Sequence, residues 1–284
     1  MSDTGRSDPK SLAEAAVRGG DPKGALAHLS AAVRAAPNQA ALRVFLAQLL
    51  CVLGQWERAH TQLNVAADLD PSTGPMRETV GYAIRSELVR AKVFAGQRTP
   101  MVIGEPLPWL AQLLESLQQH GQGQATLAAA LSAQAFEAAP ATSGSIDGTP
   151  FEWIADADSR VGPALEACVN GQYYWIPFQR IASIEFDPPA DLRDFVWAPA
   201  QLTFHDGGGT VALVPVRYPG SIASEDPLIL LARKTEWLDV GDDRWFGLGQ
   251  RVFATDAGDF PLLGVHRVEF AAPQPQTSSS STVG

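Results

Sequence analysis

The chain has 284 residues, 45% of them hydrophobic and 18% charged, and a formal net charge of −10. At about 150 residues per domain that is room for two domains, with enough core to need no disulfide framework or structural metal. The acidity is concentrated after residue 149, where 9 basic residues face 18 acidic ones, and such a field repels phosphate backbones and anionic lipid, making nucleic acid and membrane poor partners.

From residue 8 to 139 the chain is rich in Ala, Leu and Gln at helical spacing. Gly20, Ala25, Leu29, Ala32 and Pro37 recur 34 positions later as Gly54, Ala59, Leu63, Ala66 and Pro71. That period belongs to the tetratricopeptide repeat, a helix–turn–helix unit. The residue types suit it. Glycine closes the first helix, alanine sits where two helices touch, leucine fills the space between them and proline stops the second helix. A nonspecific Ala-rich helical array is the alternative. A third regular repeat is not expected, because the next glycine position is Leu88. Residues 76–95 read as one long helix ending near Gly96, followed by helices over 106–120 and 124–139.

Residues 141–150, rich in Pro, Gly, Ser and Thr, read as a linker. Beyond them the chain turns strand-like. Asn170-Gly171 between Leu165–Val169 and Gln172–Phe178 is a strong hairpin signal, since both turn residues tolerate positive φ. Further strands are expected at 181–186, 201–205, 210–216, 251–255 and 262–270, with short helical turns at 191–196 and from Pro227. The tail, 272–284, has too little apolar content to pack and is expected to be disordered. The expected fold is therefore α+β: an N-terminal tetratricopeptide-like helical-repeat domain (1–140), then a mainly antiparallel β domain with short helices (151–271).

Chemistry is sparse. The five histidines and two cysteines show no metal-ligand spacing, and no nucleophile elbow or phosphate loop is present. Gly247-Leu-Gly249 opens like a dinucleotide fingerprint but lacks the third glycine and the βαβ context. Asp156-Ala-Asp158-Ser-Arg160 puts two carboxylates on one face of an extended segment, able to hold a divalent cation with help from Glu152 and Glu166. The competing reading is a turn whose Asp side chains bind backbone N–H groups and Arg160. A second cluster, Arg193, Trp197, Arg217, Tyr218, Arg233, Lys234 and Trp237, is of the types enriched at interface hot spots, or else ties loops together by intradomain pairing. No cofactor and no metal are expected. The opening MSDTGRSDPK lacks the elements of a secretory signal, no apolar run approaches the ~20 residues of a membrane span, and Cys51 and Cys168 fall in different halves, so a cytoplasmic protein is expected.

In combination, Trp153–Arg160, Asn170–Phe178, Arg217–Ser221, Ala232–Trp237 and Gly247–Arg251 resemble the ImpE/SciE family, TagJ-type accessory proteins of type VI secretion systems. The likeness runs over nearly the whole chain. It implies a cytoplasmic, non-enzymatic accessory factor that binds a helix of the small sheath subunit (TssB/VipA type) and is linked to ClpV, the AAA+ ATPase that disassembles the contracted sheath. It supplies no catalytic residue and does not fix the contact surface. Repeat geometry offers one: the first helix of each unit lines a concave groove, which selects Glu14, Val17 and Arg18, then Val44, Gln48, Cys51 and Val52, with Tyr82 and Arg85 on the next helix. Core packing is the alternative for Val44, Cys51 and Val52. An adaptor function is the expectation; the alternative is a metal- or small-ligand-binding enzyme centred on Asp156, Asp158 and Arg160.

Overall fold

The computed structural model describes residues 8–272, so the expectation for the tail lies almost wholly outside the described residues. Helices α1 (Pro9–Arg18) and α2 (Pro22–Ala35) form the first repeat, and α3 (Ala40–Val52) and α4 (Trp56–Leu69) the second. The 34-residue offset has the expected cause. Gly20 and Gly54 take φ of +84° and +66° at equivalent turns, where a side chain would be strained. Ala25, Leu29, Ala59 and Leu63 are fully buried between the helices. Asp21 caps α2, its carboxylate accepting from the Gly24 N–H at 2.7 Å. Next comes α5 (Gly74–Phe94), a 21-residue helix ending before Gly96. The short strand β1 (Met101–Val102) and the hairpin α6 (Pro108–Gly121) and α7 (Ala125–Ala138) complete the helical half. Among the described residues no helix is long and apolar enough to cross a membrane.

The second half is richer in strands than expected. Strands β2 (Gly144–Ile146), β3 (Thr149–Phe151), β4 (Ile154–Asp156), β5 (Ala164–Val169), β6 (Gln172–Pro177), β7 (Ile181–Phe186), β8 (Trp197–Phe204) and β9 (Gly209–Pro215) precede the single-turn helix α8 (Pro227–Leu230). After it run β10 (Thr235–Asp239), β11 (Trp245–Gly249), β12 (Val252–Thr255), β13 (Gly258–Pro261) and β14 (Arg267–Phe270). Nine strands form the main sheet in the order β1-β6-β5-β9-β8-β7-β14-β2-β3, antiparallel except where β1 runs parallel to β6. Strands β13-β12-β4 form a second sheet and β10-β11 a separate two-stranded ribbon.

Two expectations need correction. The stretch expected as a linker, 141–150, carries β2 and the start of β3, and β2 pairs with β14 in the main sheet. Its turn residues, Asp147 and Gly148, both have positive φ, so the composition marked a hairpin rather than a spacer. The run 262–270 is not one strand. The hairpin partner of β12 is β13, and a 3-10 turn at Leu262–Gly264 redirects the chain to the main sheet as β14.

Three apolar clusters result. One fills the sheet half around Phe178, Phe253 and Leu202. The other two cross the boundary between halves. The repeat core takes in Val196, Trp197, Leu230 and Leu231, while Val93, Trp109 and Leu113 pack on Val161, Tyr173 and Trp175. Burial of this kind favours one cooperative body over two tethered domains.

Candidate protein-binding groove

The residues singled out around 156–160 are structural. Asp156 receives Arg251, and its other oxygen accepts the Asp158 N–H at 2.9 Å. Asp158 accepts Arg160 Nε at 2.8 Å and the Gly247 N–H at 2.9 Å. A cation here would have to displace guanidinium groups from fully buried carboxylates. Among the described residues no group of three His, Cys, Asp or Glu side chains is placed to hold a metal ion. Glu152 lies in an exposed turn, its N–H held by Asp256, and Glu166, which shares Arg251 with Asp156, belongs to a wider constellation.

That constellation is the seam between the halves. Arg90 of α5 makes a two-pronged pair with Glu166 of β5, at 2.7 and 3.0 Å, and donates to Arg217 O at 2.9 Å. Arg251 and the Tyr173 hydroxyl also donate to Glu166, and Trp175 Nε1 donates to the Tyr173 hydroxyl at 2.7 Å. Burial pushes the Glu166 carboxyl up, but the two guanidinium groups and their hydrogen bonds outweigh it and hold the group down to about 2. Asp156 goes the other way: burial raises it to about 7 against the pull of Arg251. Arg217 donates to the carbonyls of Val52 (2.6 Å), Cys51 (3.3 Å) and Leu230 (2.7 Å), so a cation closes the C-terminal end of α3, where the helix dipole is negative. On the far side of the seam, Trp197 Nε1 donates to Glu87 at 3.0 Å.

This seam changes the expected sites. Asp156, Asp158, Trp197, Arg217 and Tyr218 are buried and cannot serve as surface contacts. Arg160 is largely covered and paired with Asp158, and Arg193 pairs with Asp191 and Asp194. Arg233, Lys234 and Trp237 alone of that cluster are exposed. Tyr218 also explains the Gly247 position, because a Cβ there would lie 2.2 Å from the tyrosine ring. Of the repeat residues, Glu14, Val44 and Gln48 do come together, lining a concave cavity of about 540 Å³ with Phe45 and Met76. Cys51 and Val52 do not reach it. They are fully buried and their carbonyls are covered by Arg217. Val17 packs into the repeat core, and exposed Arg18 sits at the edge, its carbonyl accepting from Arg233 at 3.0 Å. Leu192 closes the end of the concave face, so the chain's own second half occupies part of the expected groove. Tyr82 and Arg85 point elsewhere.

Arg85 belongs to a groove that the repeat pattern did not indicate; Tyr82 lies outside its lining, with its ring under Arg85 and against Gly171. Residues Gly54–Arg58 and His60, around the start of α4, and Gly81, Ile84, Arg85 and Leu88 of α5 enclose about 600 Å³. Trp56 and Leu88 continue it into a cleft walled by Val196 and Tyr218–Ile222 of the second half. The floor is apolar, and Leu88 (52% exposed) in it and Ile222 (45%) in the adjoining cleft stand open. Trp56 is fixed from behind by Trp197, with ring centroids 5.7 Å apart. Arg58 and Arg85 flank the groove. Arg58 is held by Gln55 and Arg85 stacks over Tyr82 at 4.7 Å; neither is in a salt bridge among the described residues, and Glu57 is the one carboxylate that lines the groove with them. An apolar trough with two arginines against one carboxylate on its rim suits an amphipathic helix bearing acidic residues. The sequence signal was present in Leu88, an apolar residue where the repeat wants glycine, but only the fold places Ile222 next to it.

Residues 148–269 match the family model described as ImpE protein, and residues 16–76 match a tetratricopeptide-repeat model. A Pseudomonas aeruginosa protein, type VI secretion system accessory component TagJ, is 47% identical over 259 residues, which is 91% of this chain and 91% of the relative. A crystal structure of a protein from Vibrio parahaemolyticus superposes with a TM-score of 0.84 at 23% identity, covering 92% of this chain and 98% of that one. The last likeness concerns the fold alone.

Proposed function

The chain belongs to the ImpE family, and on that premise we propose that it serves a type VI secretion system as a non-enzymatic accessory protein. In this reading it receives an amphipathic helix of the small sheath subunit (TssB/VipA type) in the groove along α4 and α5, and links it to the sheath-disassembling ATPase ClpV in the cytoplasm. One observation carries it: the groove is mainly apolar, open, edged by Arg58 and Arg85, and continuous through Trp56 and Leu88 with a cleft walled by the second half of the chain. Sharing the groove between halves keeps its width fixed, so little ordering cost falls on the protein side of docking.

Calorimetry with the sheath small subunit, and with its isolated helix, tests the proposal. Binding is expected to both, and Leu88→Glu is expected to abolish it while the circular dichroism of the variant stays that of the parent. Gln48→Glu, on the concave face, is expected to bind as the parent does. Undiminished binding by Leu88→Glu, or loss of binding by Gln48→Glu alone, would place the partner elsewhere.

A further inference from the structure

We infer that the small cavity between the α6–α7 hairpin and the β10–β11 ribbon is a binding site for a single halide-sized anion. Its walls are Leu113, Leu117 and Phe246, and its polar lining is Ser116, His120, Ser132, Ser159, Arg160 and Arg244. Three of the six buried side-chain atoms that find no hydrogen-bond partner among the described residues line this one cavity: Arg244 Nε, Ser132 Oγ and His120 Nδ1. Buried polar atoms are nearly always paired, so three orphans facing one space point to a ligand there.

Charge and size give its class. Arg244 is 7% exposed, and the cavity lining contains no carboxylate. The charge of Arg160 is matched by Asp158, at 2.8 Å, whereas among the described residues Arg244 is in no salt bridge and its Nε has no hydrogen-bond partner. A buried cation without a counter-charge is strongly disfavoured. A water molecule would satisfy the donors and leave the charge; an anion does both. The hydroxyl of Ser132 and the Nε–H of Arg244 are donors. Burial, Arg244 and Arg160 lower the His120 pKa, which leaves a neutral ring able to present Nδ1–H. Ser116 and Ser159 are engaged already, Ser116 donating to Ala128 O at 2.6 Å and Ser159 accepting the Trp245 N–H at 2.9 Å. About 10 Å³ of the cavity is open to the centre of a water-sized sphere, so it holds a single small ion and excludes phosphate and sulfate. An anion held here joins the α6–α7 hairpin to the start of β11.

Bromide is the probe. Crystals of the full chain grown in bromide are expected to show an anomalous peak within hydrogen-bond reach of Arg244 Nε and Ser132 Oγ. In solution, thermal unfolding of the parent at constant ionic strength is expected to rise saturably as bromide replaces gluconate. That rise is expected to vanish in Arg244→Gln and to need several-fold more bromide in Ser132→Ala. Density without anomalous signal at this position would overturn the assignment, as would a bromide response of unchanged midpoint in Ser132→Ala or of unchanged size in Arg244→Gln.

Discussion

Arg90, Arg217 and Arg251 lie sealed between the helical half and the sheet half, their guanidinium groups taken up by Glu166, Asp156 and main-chain carbonyls. Arg58 and Arg85, on α4 and α5 beside them, face an open, mainly apolar trough that one carboxylate, Glu57, also lines, and neither is in a salt bridge among the described residues. The residue type is the same and the consequence is opposite. A buried, paired arginine fixes how two bodies sit together, whereas an exposed, unmatched one biases which partner approaches. Stability in this molecule therefore resides at the seam, and recognition beside it.

The largest expected effect comes from breaking the seam. Glu166→Ala leaves Arg90 and Arg251 buried without their shared anion, and a loss of ~3–5 kcal/mol is expected in urea denaturation. Arg217→Met uncovers the carbonyls of Val52 and Leu230, and a smaller loss of ~1–3 kcal/mol is expected by the same measurement. Both variants should still unfold in one transition if the halves are one body. A variant that separates into two transitions would show that the seam alone joins them.

The two seam carboxylates give pH dependences of opposite sign. Glu166 is held at about 2 in the folded chain, against an ordinary 4.5, so its stabilisation is complete above about 4.5 and is lost as pH falls through about 2. Asp156 is raised to about 7 from 3.8, so the folded chain holds the extra proton between those values and stability falls as pH rises across them. Asp156→Asn is therefore expected to flatten the urea midpoint between about pH 4 and pH 7, while the acid limb remains. An unchanged slope in that range would mean that Asp156 does not titrate there.

A gentler probe of the same boundary is the Cys51 thiol. Burial pushes it up to about 12, outweighing the opposing pull of Arg217. Alkylation of native protein at neutral pH is expected to be slow and limited by opening, and Arg217→Met is expected to accelerate it. The smallest stability effects belong to the groove. Arg85→Glu and Tyr82→Ala are expected to shift stability by no more than ~0.5 kcal/mol, while weakening capture of an acidic helix.

Local signals were legible from residues alone. The 34-residue echo from Gly20 to Gly54 marked the repeat, and Asn170-Gly171 marked a hairpin whose residues do take φ of +49° and +75°. The β10–β11 ribbon was not legible, because its turn relies on Asp242 and Asp243 in left-handed conformations that a sequence does not announce. Composition misled at 141–150, since a short hairpin and a spacer use the same turn residues. The seam was illegible for a different reason. Arg90 and Glu166 lie 76 positions apart, and Arg217 and Val52 lie 165 apart, so no local pattern connects them. The turn in which Asp158 pairs with Arg160 was legible from their spacing, whereas Arg251, the partner of Asp156, lies 95 positions away.

Hydrogen exchange on the full chain, with and without the sheath-subunit helix, tests most directly where recognition occurs. Protection is expected over 56–60 and 81–88, flanking Trp56 and Leu88, with little change over 10–18 and 41–48. Protection confined to the concave segments around Glu14 and Val44, with 81–88 unaltered, would contradict the groove between α4 and α5.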